Sequence, residues 1–189
     1  MFRYAARFFA LLLLLPLLGL SGCASLLTRD LPLLQIAPSA LGTPRTVQQQ
    51  TRIAWPGGSA VMESVVQLDE QQLQVISGAM GVRMATLDYD GHTLNAQLLP
   101  DMKLPPQRIL NDLLIVYAQA DALRAALPLG WHVVDLPGQR RVLRGDEVIM
   151  DISYTPAADA KVADPWQGRA VLHHHQLYYT LTLDSSEVE

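Results

Sequence analysis

Short β-type runs separated by turn residues recur along most of this chain, and this pattern constrains its fold more than any other feature. Asp90-Gly91 stands between two such runs, at 82–89 and 92–98. An Asp-Gly pair between β-patterned runs favours a tight hairpin, because both turn positions need positive φ. Pro56-Gly57-Gly58 is a further strong turn signal. The pattern therefore predicts a meander of antiparallel strands.

Ten strands are predicted in two groups of five. The first group precedes a helical segment and the second follows it. The predicted strands span 46–55, 60–68, 72–77, 82–89, 92–98, 131–136, 140–143, 147–154, 168–174 and 177–183.

Two helices are predicted between the groups. Pro105-Pro106 opens a segment whose apolar residues recur at helical spacing, and proline is well tolerated in a first helical turn. Asp121 is predicted to cap a second helix at 122–127, which Pro128 and Gly130 would end. The apolar residues of the first helix are Ile109, Leu110, Leu113, Leu114 and Tyr117.

This order of elements predicts a mainly β, α+β fold. A sheet of about ten antiparallel strands tends to curl, and its concave face then needs a cover. The helical segment has too many apolar residues for a loop in solvent. We therefore predict a curved antiparallel half-barrel of about ten strands with a helical plug.

The N-terminus has the three parts of a secretory signal peptide. Arg3 and Arg7 precede a 13-residue apolar stretch, 8–20. That stretch is shorter than the roughly 20 residues that a membrane-spanning helix needs. Leu20-Ser21-Gly22-Cys23 resembles the bacterial lipobox, which implies cleavage after residue 22 and acylation of Cys23, the only cysteine. The alternative is a secreted protein with a chance cysteine at its cleavage site.

The predicted organisation is a signal peptide at 1–22, an acylated cysteine with a tether at 23–44, and a single domain at 45–189. Ala24 after the cysteine implies the outer membrane, with the periplasmic face as the default. Removal of residues 1–22 takes away two of the 14 basic residues and none of the 18 acidic ones, which leaves a net charge of −6. This acidic balance argues against a nucleic-acid partner.

No catalytic or cofactor motif is evident, so we predict a protein that is not an enzyme and has no cofactor. No Gly-x-Ser-x-Gly elbow is present. His173 and His175 would share one face of a strand, but no carboxylate or cysteine follows at metal-ligand spacing. A solvated strand end is the favoured interpretation, and no metal site is predicted.

Apolar residues of the strands and of the first helix are candidates to line a cavity for a lipid. The alternative is an ordinary core without an opening. The predicted cavity residues are Val66, Leu68, Leu73, Val75, Met80, Met84, Leu94, Leu98, Leu113 and Ile152.

Residues 77–91, with the sequence SGAMGVRMATLDYDG, resemble a segment of an uncharacterised family of proteobacterial outer-membrane lipoproteins. Members of that family often occur in aryl-polyene and related gene clusters. The family in turn resembles LolA and LolB, whose curved sheets surround an acyl-binding cavity.

This resemblance implies an outer-membrane receptor or chaperone that binds an acylated or lipid cargo, either a lipoprotein or an aryl-polyene lipid, with a periplasmic carrier as partner. The alternative is a non-enzymatic structural or assembly lipoprotein with a filled core that acts through its outer surface.

Overall fold

Ten antiparallel strands form one open sheet in the computed structural model, which describes residues 31–100, 105–158 and 164–188. The predicted signal peptide and Cys23 lie outside the described residues. The strands are β1 Arg45–Trp55, β2 Gly58–Leu68, β3 Leu73–Ala79, β4 Val82–Tyr89, β5 Leu94–Leu98, β6 Trp131–Leu136, β7 Gln139–Arg144, β8 Glu147–Pro156, β9 Gly168–His174 and β10 Tyr179–Glu187.

The strand order is β5-β4-β3-β2-β1-β10-β9-β8-β7-β6. The first and last strands pair in the middle of the sheet, with Val47 opposite Glu187 and Ala54 opposite Thr180. The short strands β5 and β6 form its two edges. The predicted fold class, an open antiparallel sheet of ten strands with two helices, is confirmed.

Antiparallel pairing gives the sheet two ends, which we call upper and lower. The turns β1–β2, β3–β4, β7–β8 and β9–β10 lie at the upper end. The turns β2–β3, β4–β5 and β6–β7 lie at the lower end.

The helix α1 spans Pro106–Tyr117 and packs inside the curve of the sheet. Its residues from Leu110 onward are all buried, as expected for a helix that is covered on every side. Leu110, Leu114 and Ile115 belong to the same apolar cluster as the inward residues of the strands. The predicted helical plug is therefore present.

The helix α2 spans Ala120–Ala126, and its start corrects one prediction. Gln119, not Asp121, occupies the N-cap position. Asp121 lies in the first turn, where its carboxylate suits the helix dipole and pairs with Arg124 at 2.5 Å. The helix begins earlier than predicted because Ala120 continues the helical backbone.

Residues 31–41, here called the N-terminal segment, correct a second prediction. They were expected to belong to a tether, but Leu34, Ile36 and Leu41 are almost fully buried. The segment ends in a short 3-10 helix, Pro38–Leu41. The compact unit of the fold accordingly begins at Leu31, not at residue 45.

Two buried side chains hold the backbone of the N-terminal segment. The Asn111 side chain of α1 accepts a hydrogen bond from the Leu34 amide at 3.0 Å and donates to the Pro32 carbonyl at 2.8 Å. The Tyr89 hydroxyl accepts from the Ile36 amide at 2.9 Å and lies 2.6 Å from the Leu34 carbonyl oxygen. These bonds satisfy backbone groups that would otherwise be buried without partners.

Across the described ranges, none of the helices combines the length and the apolar character needed to cross a membrane.

Candidate functional site: two cavities of the half-barrel

Most of the predicted cavity residues lie in a packed core. Six are buried, and Met84, Leu94 and Leu98 are partly buried. The predicted cavity residues were expected to surround an open space, but side chains of α1 fill it. The six buried residues are Val66, Leu68, Leu73, Val75, Leu113 and Ile152.

Met80 does not lie in the core and borders only a surface pocket formed mainly by its own hairpin. It lies in the β3–β4 turn with a φ of 50° and its side chain is 100% exposed. Gly81 follows with a φ of 77°. Two successive residues of positive φ are typical of a type I′ hairpin turn, and such a turn directs the Met80 side chain away from the core.

A small apolar cavity, here called the upper cleft, remains between α1 and the sheet. Its volume is about 80 Å³, well below the roughly 300–1,000 Å³ of typical ligand pockets. Val75 and Leu113 are the two predicted residues that line it. At its border the Tyr179 hydroxyl donates to Asp112 at 2.7 Å.

A larger cavity, here called the lower pocket, opens at the lower end of the sheet. It has a volume of about 520 Å³. Its walls are the end of the N-terminal segment, the C-terminal end of α1, the lower ends of β6 to β8, and residues 164–169. Its apolar lining residues are Leu41, Val116, Leu136, Tyr154, Pro156, Pro165 and Trp166.

Arg140 of β7 joins this pocket to the end of α1. Its guanidinium makes a two-point ion pair with Asp135, through Nε at 2.7 Å and Nη2 at 2.9 Å. Its Nη1 donates to the carbonyls of Ile115 at 2.7 Å and Ala118 at 2.8 Å. A cation on the last carbonyls of a helix complements the helix dipole. Burial lowers the pKa of Arg140, but the hydrogen bonds that it donates to Asp135, together with its electrostatic interactions with Tyr154 and Asp135, outweigh this effect and raise the pKa overall.

Tyr154 of β8 closes the pocket beside Arg140. Its hydroxyl donates to the Val116 carbonyl at 2.7 Å. Burial raises its pKa to about 12, so the phenol is neutral at physiological pH. Side chains from the sheet thus bind the carbonyls at the C-terminal end of α1, which fixes the helix end that forms the pocket wall.

The opposite wall carries a second ion pair. Arg45, at the start of β1, pairs with Asp164 at 2.6 Å and donates from Nε to the Thr43 carbonyl at 3.1 Å. Arg169 pairs with Asp184 at 2.6 Å. The pocket therefore combines an apolar lining with paired charges at its border, an arrangement that suits an amphiphilic ligand.

None of the ten predicted cavity residues lines the lower pocket, because its walls come from distant parts of the sequence. One signal was available: Arg140 occupies an inward position of β7, two residues before the buried Val142. An arginine at an inward strand position needs buried partners.

The three consecutive histidines, 173–175, alternate between exposed and buried positions. His173 and His175 are exposed, and His174 is buried. His175 Nε2 lies 2.8 Å from Asp151 Oδ2 across the sheet, and His173 Nδ1 lies 3.0 Å from Thr180 Oγ1. Asp151 is a cross-strand neighbour that sequence spacing did not show. Among the described residues, no group of three possible metal ligands is present.

The fold and its cavities define an open antiparallel half-barrel with a packed helix inside and a pocket of ligand size at its lower end. The chain belongs to the DUF3261 family, described as proteins of unknown function, whose sequence profile matches residues 46–187.

Among solved structures, the chain is similar to the crystal structure of a LolA superfamily protein from Nitrosomonas europaea. The identity is 14% and the TM-score is 0.48, over 82% of this chain and 90% of that chain. The comparison with curated proteins found no match.

Proposed function

We propose that this protein is a lipid-anchored lipoprotein of the outer membrane that binds a lipid or an acylated cargo in the lower pocket. The observation that carries this proposal is the pocket itself, because it combines a mainly apolar lining with a volume of about 520 Å³, which lies within the range of ligand sites. The upper cleft, at about 80 Å³, is too small for this role in the structure as it stands.

The lining of the lower pocket favours an amphiphile. Leu41, Val116 and Leu136 offer apolar contacts, and the rings of Trp166 and Tyr154 add flat aromatic surface. Removing an acyl chain from water gains roughly 25 cal/mol for each Å² buried. The ion pairs at the border give a polar head group hydrogen-bonding partners. The cargo that we propose is an acylated lipoprotein or an aryl-polyene lipid, received from a periplasmic carrier.

Cys23 is the proposed site of attachment, on the periplasmic face. One acyl chain binds a membrane only marginally, and stable anchoring takes two or more. Replacement of the thiol by Cys23→Ser should release the protein from the outer-membrane fraction, as measured by immunoblotting of separated membranes. Retention of the variant in that fraction would contradict the anchor.

The ligand site is tested on the chain from residue 24, exported with a cleavable signal. We expect native mass spectrometry to detect a bound lipid and a fluorescent fatty acid to compete with it. Leu136→Glu introduces a charge into the pocket lining and should weaken binding of the probe at least tenfold, equivalent to about 1.4 kcal/mol.

Val134→Glu is the matched control for this experiment. Val134 lies on the same strand and has similar exposure, 39% against 46% for Leu136, but it does not line the pocket. Equal loss of binding in both variants, or no binding by the parent chain, would count against the lower pocket as the ligand site.

A structural or assembly lipoprotein is the second candidate function. The observation that favours it is the filled concave face, where Leu110 and Leu114 of α1 are completely buried. On this proposal no lipid co-purifies with the chain from residue 24, and substitutions in the lower pocket leave its cellular role unchanged. A bound lipid that Leu136→Glu displaces would exclude this candidate.

A further inference from the structure

Large apolar side chains are exposed at the upper end of the sheet. Met80 is 100% exposed and Tyr178 is 71% exposed, and both adopt positive φ values in turns. Single exposed apolar residues are ordinary, but these lie in different turns of one end. We call this group the upper rim, and its members are Trp55, Met80, Val82, Leu129 and Tyr178.

The strand register brings the rim residues to one end. Ala54 lies opposite Thr180, so Trp55 and Tyr178 belong to the adjacent β1–β2 and β9–β10 turns. Val82 pairs with Ala79 and closes the turn that holds Met80. Leu129 precedes Gly130, whose carbonyl accepts the Gly145 amide of the β7–β8 turn at 2.8 Å.

Two turns of the lower end, β2–β3 and β4–β5, have a different character. Asp69 accepts hydrogen bonds from the Gln71 and Gln72 amides, at 2.8 and 2.6 Å. Asp90 likewise accepts from the Thr93 and His92 amides at 2.7 and 2.8 Å, and these bonds lower its pKa. These two acidic turns suit water, whereas exposed rings and aliphatic chains lie at the β1–β2, β3–β4 and β9–β10 turns of the upper end.

The chain also enters the fold at the upper end. The Leu31 carbonyl accepts hydrogen bonds from Gln107 at 2.9 Å and from Asn111 at 3.3 Å, in the first turns of α1. From there the N-terminal segment runs down to Leu41, whose carbonyl accepts the Trp166 indole at 2.8 Å. Seven residues separate Cys23 from Leu31, and their eight Cα–Cα steps reach at most about 30 Å.

We propose that the upper rim docks on the lipid surface to which Cys23 is anchored. This inference rests on the proposed acylation of Cys23. A tether of seven residues keeps the entry point of the chain near the bilayer, and the upper rim lies at that same end. Trp and Tyr favour the membrane–water interface because their rings are amphipathic, and Met80 with Val82 supplies apolar side chains beside them.

The test uses the full lipoprotein, reconstituted in vesicles of phosphatidylethanolamine and phosphatidylglycerol. Met80→Cys and Tyr178→Cys are each labelled with an environment-sensitive NBD fluorophore, since the acylated Cys23 offers no free thiol. Glu70→Cys, in an exposed turn of the lower end, is the matched control. Intact mass spectrometry of each protein establishes whether Cys23 carries its acyl chains.

We expect the NBD emission at positions 80 and 178 to rise severalfold, to shift to shorter wavelength, and to be quenched by lipids with nitroxide groups on their acyl chains. The label at position 70 should keep the emission of an aqueous probe. An acylated protein whose three labels all report water would overturn docking of the rim and leave the anchor intact. A mass without acyl chains would overturn the anchor and this inference together.

Discussion

Tyr117 stacks face to face on Trp166, with ring centroids 3.6 Å apart and planes inclined by 8°. Tyr117 ends α1, and Trp166 lies between β8 and β9. The Trp166 indole also donates to the Leu41 carbonyl at 2.8 Å. One ring pair therefore joins the plug helix, the sheet and the N-terminal segment at the wall of the lower pocket.

Removal of the Trp166 ring should destabilise the whole fold. We expect Trp166→Ala to lower the free energy of unfolding by about 3–5 kcal/mol, because a fully buried aromatic side chain leaves a cavity. Trp166→Phe keeps most of the stacking area but loses the bond to Leu41, at a cost of about 1 kcal/mol. Urea denaturation measures both changes. Trp55→Phe, at an exposed turn, is the control, and a loss there as large as at Trp166 would contradict this account.

Asn111 should determine whether the N-terminal segment stays docked. Asn111→Leu removes the acceptor of the Leu34 amide and the donor to the Pro32 carbonyl, and we expect a loss of about 2–3 kcal/mol because buried polar groups lose their partners. Hydrogen-exchange mass spectrometry should show faster exchange over residues 31–41. Unchanged protection there would mean that the apolar contacts of the segment suffice to hold it.

The Arg140–Asp135 pair should be costly to break from the arginine side. Arg140→Met leaves Asp135 without its partner and the Ile115 and Ala118 carbonyls without donors, so we expect a loss of about 3–5 kcal/mol. Asp135→Asn should cost less, because Asp135 is partly exposed and an amide still accepts a hydrogen bond. A thermal or urea melt that ranks the two variants in the reverse order would refute the role of Arg140 at the end of α1.

Stability should fall at alkaline pH as buried phenols ionise. Burial raises the pKa of Tyr154 from 10.0 to about 12, so its contribution is complete below pH 10 and is lost as the pH rises through about 12. Within that window each such group lowers the free energy of unfolding by about 1.4 kcal/mol per pH unit.

Tyr154→Phe should therefore flatten this decline, although it loses about 1 kcal/mol at neutral pH with the bond to Val116. Urea denaturation at several pH values measures both effects. A decline above pH 10 that is as steep in the variant as in the parent would show that Tyr154 does not ionise with unfolding in this range. Burial also raises the pKa of Tyr89 and Tyr117, so part of the decline should remain.

The strands were predictable because their signals are local. Asp90-Gly91 lies in the turn between β4 and β5 as predicted, but this turn spans four residues, 90–93, and of the pair only Gly91 has a positive φ, 99°. Alternating burial along β3 and β10 follows the two-residue period of a strand. The apolar spacing from Ile109 to Tyr117 was also sufficient to predict α1, and proline in its first turn marked where it begins.

The role of the N-terminal segment was not predictable in the same way. Its prolines and lack of a clean period are typical of a linker, yet Leu34 and Ile36 are buried. Their burial depends on Asn111 and Tyr89, which lie 77 and 53 residues further along the chain. A hydrogen-bonding partner so far away in the sequence cannot be recognised from the residues next to Leu34 and Ile36.

The sequence by itself determined the hairpins, the plug helix and the order of strands along the chain, because turns and hydrophobic periods act over a few residues. It also carries the lipobox-like motif at Cys23 from which anchoring is proposed. Only the tertiary structure decided that α1 fills the half-barrel and that a largely apolar pocket of ligand size lies at the lower end. That pocket exists because Leu41, Arg140 and Trp166 all line it, and residues so far apart in sequence come together only when the whole sheet has curved around the helix.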